Sequence, residues 1–412
     1  MKNQTDVSST GGKKEQLWSP TFILMIVTAL GLYFCTQMQA TVFPLFTQTL
    51  GGNLTLAGLT TSVYMGISML FKPIAGSLLD KYNRKFLLIG ALLCFAGVVI
   101  SYSGVTMIGV LLLLRAVCAP FYSVANTATA TIATVAIPKS RMTEGLGYYN
   151  LSQTVTMALG PGLGLWLIEM AGYSAVFKTC SLVAIAAAAL AFALPRQVKK
   201  DDQAQSTSVR AVSVNSRKKK TLLIGIKNLS VVLPALLMLL VSLGCSGINT
   251  FLPTFGRQFN ITGIGVFFTV EAISMFVVRL FIGKFTERFG TPIAIFISMI
   301  CICLSLIGIF FSRSLIPILI IAAVFGIGYG AIMPLLHSLA VENITADHAG
   351  TANSLFFMGS EAGICMSSVL LGIIADLIGI EWLFLIGGFI IIPAMLIYTF
   401  SLYQKSRKKQ SA

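Results

Sequence analysis

Three charged side chains lie inside long apolar stretches of the sequence, where a charge is costly. Arg115 follows four leucines, Glu271 lies in "FFTVEAIS" and Glu361 lies in "FFMGSEAGICM". A charge at the centre of a bilayer costs at least about 2.5–3.5 kcal/mol, so such residues are functional candidates. Apolar surroundings favour the neutral carboxyl, which suits both glutamates to proton exchange or cation recognition. Arg115 stays charged, which suits it to bind an anionic group or to lower the pKa of a nearby acid. The alternative for all three is a static ion pair that only fixes helix positions.

Uncharged polar residues in the same stretches are candidates for the rest of a site. They are Gln37, Gln39, Tyr64, Tyr122, Asn126 and Asn249. The two glutamines are about 200° apart around a helix, so at most one faces a cavity squarely. The alternative for each residue is a hydrogen bond between helices. Lys72 and Arg279 lie near helix ends, and we expect them to reach back to the membrane surface.

Composition defines the elements that must position these residues. The chain has 412 residues, of which 56% are hydrophobic and only 10% charged, against about 25% charged in a soluble domain. The net charge of +15 does not indicate nucleic-acid binding, because the bases lie between apolar runs. A run of about 20 apolar residues spans a bilayer as a helix. Twelve such runs are predicted, at 20–47, 54–79, 86–105, 107–135, 142–168, 173–195, 229–255, 261–285, 291–311, 314–340, 348–375 and 380–403.

The distribution of lysine and arginine predicts the topology and the domains. Most of the 29 bases fall in segments that lie on one side of the membrane if both termini are cytoplasmic. The polar, basic stretch 196–228 reads as a cytoplasmic linker. The predicted organisation is an N-terminal tail (1–19), a six-helix bundle (20–195), the linker, a second six-helix bundle (229–403) and a C-terminal tail (404–412).

The two predicted bundles contain an internal repeat. Shifting the first half by 207 residues without a gap aligns helix two with helix eight, and Lys72 then meets Arg279. The same shift places Tyr64 on Glu271. Duplicated membrane halves usually enclose a central cavity near the bilayer midplane. We therefore predict an all-α membrane protein with twelve transmembrane helices in two pseudo-symmetric bundles.

The segment "AGSLLDKYNRK" and its repeat predict a gate at the cytoplasmic side. The gate residues are Gly76, Asp80, Lys81 and Arg84 in the first copy, and Gly283, Glu287, Arg288 and Gly290 in the second. Glycine allows close packing or a tight turn. The acids can face the N-terminal end of a helix or pair with the arginines. Such exposed contacts are worth on the order of 1 kcal/mol, which suits a latch. The alternative is a pair of turns whose charges only set topology.

This segment resembles the signature of the major facilitator superfamily. That signature, Gly-x-Leu-x-Asp-Arg-x-Gly-Arg-Lys, lies between helices two and three, and here it begins at Gly76. Lys81 replaces its first arginine and Asn83 its second glycine. Lysine keeps the charge without the planar fork, and asparagine tolerates left-handed geometry. Arg115 resembles the arginine of the family's fourth-helix motif. The resemblance implies the family's fold, and it favours a role for Arg115 in controlling a nearby acid.

Predicted helix five resembles the antiporter motif of the same superfamily. Gly147, Gly160, Pro161 and Gly164 match it. Proline removes a backbone donor and kinks a helix, and we expect the glycines to let helix five lie close to a neighbour in the other half. The resemblance implies a proton-coupled exporter. The alternative is an ordinary kinked membrane helix.

The sequence therefore predicts a secondary transporter of the plasma membrane, bacterial in origin. It would export a small organic compound, a drug or a metabolite, in exchange for protons. One alternative is uptake by proton symport, and another class is a membrane receptor or lipid flippase on the same scaffold. The sequence has no phosphate-binding loop and no enzyme motif, so we expect no enzyme activity and no cofactor. Eight cysteines without a Cys-x-x-Cys pair predict no metal site. The expected partners are a small molecule, protons and the bilayer, with a monomeric chain.

Overall fold

The computed structural model describes residues 17–138, 141–194, 229–341 and 349–410, and their regular structure is helical. Four helices come first: α1 Pro20–Thr49, α2 Leu54–Lys81, α3 Arg84–Ser101 and α4 Ile108–Ala136. A long helical stretch, Met142–Phe192, follows, and we call its two arms α5 (residues 142–171) and α6 (residues 173–192). The remaining helices are α7 Leu229–Gln258, α8 Val266–Phe289, α9 Thr291–Phe311, α10 Leu315–Val341, α11 Ala349–Ile378 and α12 Ile380–Gln410.

The chain reverses direction inside the long helical stretch. Gly172, with φ +77° and ψ 178°, is outside the helical region, in a conformation that favours glycine. As residue numbers increase along α5, the numbers of the α1 residues that they contact also increase. Along α6 the numbers of the contacted α1 residues decrease. Four pairs establish this: Gln37 with Gly160, Val42 with Gly164, Phe46 with Phe177 and Gly31 with Val183. The two arms are therefore antiparallel.

Eleven helices among the described residues are long and apolar enough to cross a membrane. One of them, the Leu151–Phe192 span, has 42 residues and contains the Gly172 reversal. At about 1.5 Å per residue it is roughly twice as long as one crossing needs. It overlaps two of the twelve predicted spans, 142–168 and 173–195.

The predicted loop between helices two and three is shorter than expected. α2 continues through Asp80 to Lys81, and α3 begins at Arg84. Asn83 has extended backbone rather than left-handed geometry, and its side chain accepts a hydrogen bond from the Lys85 amide at 3.0 Å. It is therefore a helix N-cap, which satisfies a backbone donor at the start of α3.

The start of α8 also differs from the prediction. Asn260 and Gly263 have positive φ, at 53° and 77°, so the apolar residues after them continue a turn before the helix begins at Val266. Ile261 and Ile264 are buried without being helical. Glu271 consequently lies five residues from the start of α8 and not ten.

Buried apolar side chains form two separate cores. One lies within residues 17–194, and the other lies mainly within residues 237–398. Large apolar side chains such as Leu113, Ile316 and Leu377 remain exposed on the outside, as expected for a surface that faces lipid. We call α1–α6 the first bundle and α7–α12 the second.

The two bundles meet mainly along three pairs of helices: α2 with α11, α5 with α8, and α1 with α7. Helices α1 and α12 define the two ends of the molecule. We call the end where α1 begins and α12 finishes the termini end, and the end where α1 finishes and α2 begins the far end.

Candidate functional site

The far end is closed by polar contacts between the bundles. The Asp376 carboxylate of α11 accepts hydrogen bonds from the backbone amides of Leu54 and Thr55, both at 2.8 Å. The Thr55 hydroxyl donates to it at 2.6 Å. The first amides of a helix have no partner within the helix, and a carboxylate there is favourable. Asp376 thus caps α2 from the other bundle.

Two further hydrogen bonds reinforce this closure. Gln48 of α1 donates from Nε2 to the Thr254 hydroxyl of α7 at 2.9 Å. Arg257 of α7 donates to the hydroxyl of Tyr173 in the first bundle at 3.0 Å. Three pairs of elements are therefore joined across the bundle interface at the same end.

Close packing and an ion pair join α2 to α11 at membrane depth. A methyl group on Gly58 would overlap the Ser368 carbonyl, so the backbones are in direct contact there. Farther along α2, the Ser62 hydroxyl donates to the Cys365 carbonyl at 2.5 Å. The Lys72 ammonium forms an ion pair with Glu361. Glu361 therefore lies between the bundles, with a cation of the first bundle as its partner.

The second crossing, α5 with α8, has a polar contact at the corresponding depth. Arg279 of α8 donates from NH1 to the Thr154 hydroxyl of α5 at 2.5 Å, and from Nε to the Gly330 carbonyl at 3.5 Å. The expectation that Lys72 and Arg279 reach back to the membrane surface is wrong for this conformation, because both contact the opposite bundle.

Between this level and the termini end, no hydrogen bond joins the bundles within the part of the chain that is described. Lys81, Glu287 and Arg288 are exposed, and no ion pair among the described residues links Glu287 with Arg288. Gly290, with φ +87°, makes the tight turn between α8 and α9. Gly76, Arg84 and Gly283 lie in or beside these helix ends, and the Asp80 side chain is outside the described residues. Among the described residues, the hydrogen bonds that close one end of the bundle interface lie at the far end.

Glu271 is a buried acid without a hydrogen-bonding partner among the described residues. Its side chain is 5% exposed, and it forms no hydrogen bond or ion pair with a described residue. It interacts electrostatically with Cys245 of α7 and Tyr329 of α10, so it lies inside the second bundle. Removing a proton from such a group leaves a charge that no described residue compensates with a hydrogen bond or an ion pair. Chemically, Glu271 is able to hold a proton at membrane depth.

Arg115 lies inside the first bundle. It is 3% exposed, and its Nε donates to the Thr60 carbonyl at 3.1 Å. The guanidinium carbon lies 4.2 Å from the Phe43 ring centroid and 4.0 Å from that of Tyr64, within the range of cation–π attraction. These contacts join α1, α2 and α4. The three charged candidates are therefore separate: Arg115 in the first bundle, Glu271 in the second, and Glu361 between them.

The uncharged candidates have unequal surroundings. Gln39 is 2% exposed and its amide nitrogen has no hydrogen-bond partner among the described residues, whereas Gln37 packs against Gly160. The Asn126 side-chain oxygen accepts a hydrogen bond from Tyr33 at 3.0 Å. The other three lie on separate helices. Tyr64 and Tyr122 have ring centroids 5.4 Å apart, and the Tyr64 hydroxyl has no hydrogen-bond partner in the described part of the chain. Asn249 is half-buried on α7.

The glycines of the helix-five motif contact a different neighbour from the one expected. A Cβ on Gly160 would lie 2.7 Å from the Gln37 Cβ, and one on Gly164 would lie 3.3 Å from the Met38 carbonyl. Both glycines therefore pack on α1 in their own bundle. Gly162, which the motif does not include, approaches Gly265 of the other bundle. Gly147 and Pro161 lie within α5.

Sequence reasoning missed Asp376, Thr154 and the pairing of Lys72 with Glu361. A signal for the pairing was present, because the 207-residue shift that relates Lys72 to Arg279 also relates Thr154 to Glu361. No comparable signal pointed to Asp376. Its partners lie at the start of α2, in the other bundle and far away in sequence, so the residues around Asp376 do not reveal the contact.

The sequence matches the family model of the Major Facilitator Superfamily over residues 25–367 and 234–412. The chain belongs to that superfamily. It is a multi-pass membrane transporter of small molecules and not an enzyme.

Two curated relatives have nearly the same length. The staphylopine export protein of Staphylococcus aureus is 22% identical over 389 residues, covering 91% of this chain and 94% of that protein. The multi-drug resistance efflux pump PmrA homolog of Lactococcus lactis is 23% identical, covering 94% and 96%. Efflux proteins are thus among the relatives.

Solved structures share the fold. The nucleoside transporter NupG (D323A mutant) has a TM-score of 0.76 at 14% identity, covering 92% of this chain and 99% of that one. A bacterial homolog of the human lysosomal transporter Spinster, in an inward-facing and unoccupied conformation, has a TM-score of 0.75 at 13% identity, covering 94% and 97%. At these identities the likeness shows the fold alone.

Proposed function

We propose that this chain exports a small organic compound in exchange for protons, by alternating access between the two bundles. The observation that carries the proposal is the uneven distribution, among the described residues, of polar contacts between the bundles. They hold the far end shut and reach membrane depth at Lys72 and Glu361. A transporter of this kind needs contacts that break at one end as others form at the opposite end.

In the proposed topology the chain crosses the plasma membrane twelve times, as a monomer with both termini in the cytoplasm. The reversal at Gly172 supports counting α5 and α6 as two crossings. The excess of lysine and arginine at the termini end supports the orientation. The conformation is then closed to the outside and faces the cytoplasm, where an exporter takes up its substrate.

Paired contacts support the proposed pseudo-symmetry. Gly58 of α2 meets α11 at Ser368, and Gly265, 207 residues later, meets α5 at Gly162. Inside the bundles, Ser123 donates to the Ser68 carbonyl at 3.1 Å. The pair displaced by the same 207 residues, Gly330 and Met275, is also in contact.

Two acids carry the proposed proton coupling. Glu361 is attracted to Lys72 only while it is ionised, so protonation weakens a contact that joins the bundles. Glu271 has no partner among the described residues and gains most from holding a proton. We assign Arg115 to the support of α1, α2 and α4, since its contacts lie within the first bundle.

Export is preferred to uptake for two reasons. The glycines and proline of α5 match the antiporter motif in part, and the relatives include a staphylopine export protein and a multi-drug efflux pump homolog. The test is a growth screen of an expressing strain against diverse toxic compounds, with and without an uncoupler. Protection that disappears with the uncoupler supports export, and sensitisation by expression favours uptake.

A further inference from the structure

The two contacts that join the bundles at membrane depth occupy equivalent positions. Lys72 of α2 contacts Glu361 of α11, and Arg279 of α8 contacts Thr154 of α5. Both members of the second pair are displaced from the first by 207 residues, Arg279 forward from Lys72 and Thr154 back from Glu361. One position thus holds a cation and an acid, and the other holds a cation and a neutral hydroxyl.

Arg279 has no acidic partner among the described residues. A guanidinium carries five N–H donors. Two of them are used here, by the Thr154 hydroxyl and the Gly330 carbonyl. Arg279 is half-buried and lies 13 residues after the start of α8, well inside the span. A charge at this depth is costly unless another group compensates it.

The surroundings of Arg279 indicate what kind of group would compensate it. At the equivalent position the compensating group is the carboxylate of Glu361. The planar fork of arginine binds a carboxylate through two parallel hydrogen bonds. Tyr329, which interacts electrostatically with Arg279, stacks on Phe325 with ring centroids 5.5 Å apart. Phe325 is buried, whereas Tyr329 is partly exposed, so an apolar or aromatic body would pack against the Tyr329 ring.

We propose that Arg279 binds the carboxylate of a partly apolar substrate, which takes the place that Glu361 occupies in the other crossing. This inference rests on the proposed transport function and names the substrate class of the same central region. Substrate binding then completes a second ion pair between α5 and α8, whereas the first, between α2 and α11, is built into the chain.

Binding to the purified full-length protein in lipid nanodiscs tests the proposal. The probe is 4-phenylbutyrate, compared with 4-phenylbutanol and 4-phenylbutylammonium, which have the same apolar body. We expect the carboxylate to bind about tenfold or more tightly than either control, as charge-assisted hydrogen bonds to a guanidinium require. Equal binding of the three probes would overturn the proposal.

Two matched variants at Thr154 distinguish the effect of adding a carboxylate from the effect of enlarging the side chain. Thr154→Glu supplies an internal carboxylate to Arg279 and should lower 4-phenylbutyrate affinity about tenfold, because the probe now competes with it. Thr154→Gln has nearly the same volume without the charge and should bind the probe more tightly than Thr154→Glu does. Equal affinities for these two variants would contradict the proposal.

Substitution of Arg279 gives an independent test. Arg279→Gln should abolish the preference for the carboxylate probe, and Arg279→Lys should retain part of it, since lysine keeps the charge without the fork. If Arg279→Gln retains the full preference for the carboxylate probe, the proposed carboxylate site at Arg279 is overturned. These binding measurements need no proton gradient. If the wild-type chain shows no carboxylate preference but still exports, this inference alone is refuted. If the wild-type chain shows the preference but does not export, the proposed function is refuted.

Discussion

Asp376 and Thr55 connect the last turn of α11 to the first turn of α2, through hydrogen bonds from both the amide and the hydroxyl of Thr55. The acid and the helix that it caps belong to different bundles, so the contact exists only while the far end is shut. The interaction of this carboxylate with a helix N-terminus therefore contributes to the free-energy difference between the conformations that are closed and open at the far end.

Removing the charge of Asp376 should therefore open the far end more often. At an exposed helix end the charge is worth about 0.3–1 kcal/mol, so Asp376→Asn should raise the open population about two- to fivefold. Cys365, half-buried between α2 and α11, is a native reporter. Its labelling by an impermeant maleimide added outside intact cells should rise, in a variant whose seven other cysteines are replaced. Asp376→Glu, which keeps the charge, is the control, and identical labelling in Asp376→Asn and its parent would refute the latch.

The ion pair of Lys72 and Glu361 predicts non-additive effects on stability. Glu361→Gln and Lys72→Gln each leave one charge without its partner, so each should lower the thermal unfolding midpoint in detergent. The double variant should recover part of the loss. Both side chains are about a quarter to a third exposed, so the coupling should stay below the roughly 3–5 kcal/mol lost when a fully buried pair is broken. Strictly additive midpoints would show that the pair does not contribute.

Glu271 should behave differently from Glu361, because its carboxyl has no hydrogen bond or ion pair with a described residue. Glu271→Gln removes no such contact, so the unfolding midpoint should be unchanged or higher. Proton release on substrate addition to the purified protein should nevertheless decrease. Glu169→Gln, at an exposed acid of α5, is the matched control and should leave proton release intact. Normal proton release from Glu271→Gln would remove this residue from the coupling mechanism.

Gly58 predicts a steric effect on closure of the far end. A methyl group there would overlap the Ser368 carbonyl, and overpacking of this kind costs about 1–3 kcal/mol. Gly58→Ala should therefore slow export about tenfold through loss of the closed state. Gly97→Ala, in α3, is the control, because nothing lies within 4 Å of its Cβ. Equal export rates for the two variants would show that close contact of α2 with α11 is dispensable.

The long apolar helices were predictable from the sequence because hydropathy is a local property of the chain. The boundary error at α8 arose because Ile261 and Ile264 are buried in a turn, and burial alone does not distinguish a turn from a helix. The family resemblance was confirmed over nearly the whole chain.

The candidate site was harder to predict, because its contacts join helices that are far apart in sequence. Depth in a span identified Glu361 but not its partner, since Lys72 is 289 residues away. Arg115 met the same criterion and yet contacts only its own bundle in the described structure, stacked on Phe43 and Tyr64. Hydropathy gives the depth of a charge and not the direction in which its side chain points.

Transport into everted membrane vesicles tests the central claim most directly. Vesicles with the wild-type chain, energised to be acidic inside, should accumulate a compound identified by the growth screen, and an uncoupler should abolish the accumulation. Vesicles with Glu361→Gln should accumulate little, because the acid that joins the bundles no longer titrates. Accumulation that persists at the wild-type rate in the presence of the uncoupler would contradict proton-coupled export.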